Sequence, residues 1–126
     1  MTHLNLKEVA LALLVFVTLG LGCNRSSPPP TPLSVEEMPA ALTKAFSKAK
    51  PDAKDLANQV VASVQAQDYS KAFQVIQNLA SQPGLTKEQG SVTTRATLTV
   101  NSLLQAAQTK GDPQAAQTLK TYRRDK

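Results

Sequence analysis

The feature that most constrains what this chain can fold into is its helix punctuation: past Ser34, residues that start or stop helices recur at intervals of about one helix. Pro51 followed by Asp52 and Asp55 marks a start, with carboxylates where the helix dipole favours anions. Asp68 is placed to cap another helix. Pro83 and Gly84 form a turn dipeptide, and Thr86 with Gln89 spells a capping box. Gly111, Asp112 and Pro113 supply in order a helix stop, an N-cap and a favoured first helical residue.

Apolar residues fill these intervals at helical spacing. Ser34 with Glu37 also matches a capping box, but Pro39 would disrupt a helix begun there, so a short first helix is expected over Pro39 to Ala49. In the next, Leu56, Val60, Val61 and Val64 share a face; after Asp68, the stripe is Tyr69, Phe73, Ile76 and Leu79. A longer helix should run from Thr86 to about Lys110, burying Val92, Ala96, Val100, Leu103 and Ala107. Gly90 in its first turns costs about 1 kcal/mol against Ala and argues for a later start. The last helix presents Ala115, Ala116, Leu119 and Tyr122 and ends in Arg123, Arg124, Asp125 and Lys126.

Short connections make successive helices antiparallel neighbours. The expected fold is all-α, a small antiparallel helical hairpin array or bundle over residues 39–126. Its core should be thin. From Ala40 onwards Leu, Ile, Val and Phe occupy about a fifth of positions, near the level at which burial struggles to offset ordering entropy. Abundant Ala favours helix but buries little surface, which predicts marginal stability or support from a partner.

The N-terminal part has a different character. Val9 to Gly22 is apolar apart from Thr18, and as a helix would reach only about 21 Å against a hydrocarbon core of about 30 Å. Preceded by His3 and Lys7, with Glu8 offsetting one charge, it fits a secretory leader over residues 1–22 better than a membrane span. Cys23, the only cysteine, follows directly, and then come Pro28, Pro29, Pro30 and Pro32 among Ser26, Ser27 and Thr31. Such a stretch favours extended polyproline conformation. Asn24 to Leu33 would then act as a spacer of about 30 Å, and residues 23–38 form a tether.

Gly20-Leu21-Gly22-Cys23 resembles the cleavage box of bacterial lipoprotein signal peptides; the last two positions fit, and Gly20 stands where that family prefers Leu. The resemblance implies a diacylglyceryl thioether on Cys23, cleavage before it and an added acyl chain such as palmitate. A lone cysteine in an exported chain has no internal disulfide partner, which agrees with that role. Asn24 rather than Asp after the cysteine implies the outer membrane, with the domain facing the periplasm. Gln67, Asp68 and Tyr69 with Ala72 resemble part of a tetratricopeptide unit, echoed by Gly111, Asp112 and Pro113 with Ala116. The echoes stand 44 residues apart, against a period of about 34 in such arrays. The likeness is therefore one of helix-pair grammar, without a peptide-binding groove.

Catalytic machinery is not expected. The single histidine, His3, lies in the leader, so the domain past Cys23 offers neither imidazole nor thiol, and no cofactor or metal site is predicted. The acid pairs Glu36 with Glu37 and Asp52 with Asp55 read as first-turn dipole partners. The net charge of +5 attracts polyanions, and Lys44, Lys48, Lys50 and Lys54 form a candidate basic patch on or near the first helix. Nucleic acid is not expected as a partner, because the few aromatics do not interleave with the basic residues. The sequence points to a non-enzymatic, membrane-anchored envelope protein whose helical domain binds another envelope protein or itself. The alternative is a polyanion-binding module for cell wall or lipopolysaccharide.

Overall fold

The computed structural model describes residues 28–126, and the expected leader, Cys23 and the first part of the expected tether lie outside them. Within that range the chain is all-α: α1 (Met38–Ala45), α2 (Pro51–Gln65), α3 (Tyr69–Ala80), α4 (Lys87–Thr109) and α5 (Pro113–Arg124). The starts fall where the punctuation put them. The Asp68 carboxylate accepts from the Lys71 N–H at 3.1 Å, and Asp112 accepts from Gln114 and Ala115 at 2.9 and 3.3 Å. Both halves of the Thr86/Gln89 capping box form, at 3.1 and 3.0 Å.

The two echoed sequences make the same turn. At the α2–α3 junction the Asp68 and Gln67 N–H groups donate to Ser63 and Val64 carbonyls, and at the α4–α5 junction those of Asp112 and Gly111 donate to Ala107 and Gln108. This is the Schellman arrangement, and the residue after the left-handed position caps the following helix in each case. Gly111 takes that position at φ +93° without strain, whereas Gln67 holds φ +58°.

Two helix ends differ from expectation. The Ser34 capping box forms after all: the Glu37 N–H donates to Ser34 Oγ at 3.1 Å, and the Ser34 N–H to Glu37 Oε2 at 3.3 Å. Pro39 is accommodated because it falls in the first turn of α1, where a missing N–H is tolerated. α1 then stops at Ala45 rather than Ala49, and Phe46 caps it and turns inward with 1 % of its surface exposed.

Gly90 does not delay α4, whose helix runs from Lys87 with the Gly90 N–H donating to Thr86 O at 2.9 Å. A Cβ there would meet no atom within 4 Å. Gly90→Ala is therefore expected to stabilise the fold by about 0.5–1 kcal/mol, seen as a higher urea midpoint with unchanged m-value.

α2 packs on α3 and α3 on α4, as neighbours joined by short connections should. α1 packs on α4 as well as α2, so the first four helices close into a ring; α5 covers the edge made by α3 and α4. Phe46, Met38, Leu42, Ile76, Leu79 and Leu104 are the largest fully buried side chains. The α4 stripe is corrected accordingly: Gln89, Thr93, Ala96, Val100 and Leu104 are buried, while Val92, Leu103 and Ala107 are only partly so. With partners on more than one side, α4 buries a line that includes threonines, which an apolar pattern does not single out. In α2 likewise, Ala53, Ala57, Val60 and Val64 are buried, and Leu56 and Val61 are partly exposed.

The tether also ends earlier than read. Leu33 is buried, its N–H reaches Arg95 O at 3.5 Å, and its carbonyl accepts from Thr99 Oγ1. Arg95 Nε donates to Thr31 O at 2.9 Å. Thr31 to Leu33 is thus a strap on α4, and the folded domain begins there rather than at residue 39.

The thin core does not leave an uncovered apolar face. Among the described residues Val35 is the one large hydrophobic side chain that is exposed, at 41 %. No fully buried side-chain nitrogen or oxygen among them lacks a hydrogen-bond partner.

Candidate functional site

The antiparallel ring gives the bundle two ends of different character. At one, the α2–α3 and α4–α5 turns meet around a cavity of about 500 Å³ touched by Gln67, Lys110 and Asp112. At the other, the α1–α2 and α3–α4 connections meet around a cavity of about 240 Å³ touched by Lys50, Asp52, Leu85 and Gln89.

Gln89 ties this second end together. Its Oε1 serves the capping box of α4, while its Nε2 donates across to Ala45 O, the last carbonyl of α1, at 3.2 Å. An orphan carbonyl at a helix end is thereby satisfied by the neighbouring helix. The sequence marked Gln89 only as a box residue, because its second partner stands 44 positions away.

Lys44 lies in the last turn of α1, Lys48 and Lys50 in the connection, and Lys54 in the first turns of α2. All are exposed. The predicted basic patch is thus placed at one end of the bundle, and the fold adds Lys87 from the start of α4. Asp52, Asp55 and Glu88 belong to the same end, so five ammonium groups face three carboxylates there. The opposite end is balanced, with Asp68 and Asp112 against Lys71 and Lys110. Among the described residues the one ion pair is Arg124 with Asp125, at 3.5 Å and well exposed, so none of the five lysines is paired.

Compared with known proteins, the chain matches no family model, no curated protein and no solved structure. What the surface can do must come from its own residues.

A third recess, of about 530 Å³, lies between α3 and α5. Phe73 and Tyr122 form its apolar floor, edge to face with ring centroids 5.1 Å apart. Gln74, Gln77, Asn78 and Gln117 line its walls, with Asp125 as its one charged residue. This amide-rich trough can exchange hydrogen bonds with a polar or peptide-like surface. It was missed in the sequence because its residues lie on two helices, and uncharged Gln and Asn carry no motif.

Among the described residues no group of three or more His, Cys, Asp or Glu side chains converges as a metal site would require. None of their helices is long and apolar enough to cross a membrane. Cys23, the predicted lipidation residue, lies outside the described residues.

Proposed function

We propose that this chain is a non-enzymatic, exported envelope protein, anchored through acylated Cys23 and carrying a small helical domain that engages another envelope protein. The observation that carries this reading is the position of the single cysteine. It stands between an apolar leader-like run and a Pro-rich stretch, upstream of a domain whose core, among the described residues, begins at Leu33. One acyl chain holds a membrane only marginally, whereas the two or three implied by the resemblance would hold it durably.

A domain with a covered core and one exposed large hydrophobic has little apolar surface to offer, so a partner would be met through polar groups. The trough between α3 and α5 supports such a contact, since its aromatic floor and amide walls combine apolar area with donors and acceptors.

The test is metabolic labelling with a fatty acid in a bacterial host. Wild type should take up label and fractionate with membranes, and Cys23→Ala should lose both. Equal labelling of the two, or none in either, would overturn the anchored reading.

A further inference from the structure

The strap fixes which end of the bundle looks back along the tether. Thr31 is held by Arg95 and Leu33 by Thr99, so this segment runs along α4 in the same direction as the helix itself. Taken backwards from Leu33 to Thr31, that direction points to the N-terminal end of α4. That is the end where Gln89 holds α1 and where the lysines gather.

The distances are compatible. Arg95 stands six residues beyond Gln89, about 9 Å along the helix. Residues 24–30 separate Cys23 from the strap and can span at most about 25 Å. A bilayer tethered at Cys23 is therefore within reach of this end.

We infer that the lysine-bearing end of the bundle, with Lys44, Lys48, Lys50, Lys54 and Lys87, is a docking face for anionic lipid headgroups of the membrane to which Cys23 is tethered. This rests on the anchored reading above and adds an orientation to it. Lysine ammonium groups act on headgroup phosphates as flexible point charges, a role that needs no built pocket. Being exposed and unpaired among the described residues, they are available to a charged surface that the tether lets approach within a Debye length. Asp52, Asp55 and Glu88 reduce the excess without cancelling it. The opposite end is neutral; the remaining basic cluster, Lys120, Arg123, Arg124 and Lys126 against Asp125, closes α5, where Asp125 lines the same recess as Asn78 near the end of α3, so it lies towards the lysine-bearing end rather than away from it.

The experiment replaces the biological anchor with a chemical one. Residues 23–126, which contain every buried residue described, carry a single thiol that couples to a maleimide-headgroup lipid. Vesicles of phosphatidylcholine alone are compared with vesicles rich in phosphatidylglycerol, and each lysine is read by amine acetylation and mass spectrometry. The expected result is a severalfold loss of reactivity at the five lysines on the anionic vesicles only. Lys71 and Lys110 should be unchanged, and the difference should vanish at high salt. Lys48→Glu with Lys50→Glu should abolish the protection and leave thermal stability unaltered. Uniform reactivity on both vesicles, protection at Lys71 and Lys110 instead, or protection that survives high salt would overturn the inference. Because the anchor is supplied chemically, this outcome is independent of whether a cell acylates Cys23, which the labelling experiment decides.

Discussion

Phe46→Ala is expected to lower the unfolding free energy by about 3–5 kcal/mol, the range for a fully buried aromatic truncated in a packed core. Phe46 is 1 % exposed and sits just past α1, at the corner where the chain turns towards α2. Its ring joins the same core as Met38 and Leu42. Removing it leaves a cavity that so small a bundle can collapse only in part, and it loosens the helix that closes the ring between α2 and α4. Urea unfolding of residues 23–126 followed by circular dichroism should show the midpoint falling steeply. A loss below about 1 kcal/mol would mean that this corner is not packed as described.

Leu33→Ala should cost about 2–4 kcal/mol, although the sequence places Leu33 at the end of a spacer. The side chain is buried and its carbonyl accepts from Thr99 Oγ1. Thr99→Val keeps the shape and removes the hydroxyl, leaving the Leu33 carbonyl without its side-chain donor, at about 1–2 kcal/mol. The two residues touch, so the double variant should lose less than the sum of the single effects. Both variants should also expose the segment before α1 to protease. Were residues 28–33 a free spacer, each substitution would be neutral.

That strap shows where the sequence could have been read further. Leu33 directly precedes the Ser34–Glu37 capping box, and Met38 follows it; apolar residues in those two places form a hydrophobic staple. Leu33 and Met38 are indeed both in the core. Pro39 masks that signal, because a proline five residues past the cap reads as a helix breaker unless the first turn of α1 is known to hold it. The opposite case is α4, where Leu103 and Leu104 are adjacent and equally apolar. Only the positions of the surrounding helices decide that Leu104 is fully buried and Leu103 is not.

Among the described residues, the number and order of the helices and the starts of α2 to α5 were determined by sequence alone, because capping by Asp68, Thr86 and Asp112 and stops such as Gly111 depend on hydrogen bonds within a few residues. The all-α class followed from the same local chemistry. What the tertiary structure decided was everything that joins distant residues: the contact of α1 with α4, the second bond of Gln89, the strap on Arg95 and Thr99, and the gathering of Lys87 with the first-hairpin lysines. Those contacts bridge dozens of residues, and their geometry depends on how whole helices pack, which no local pattern encodes.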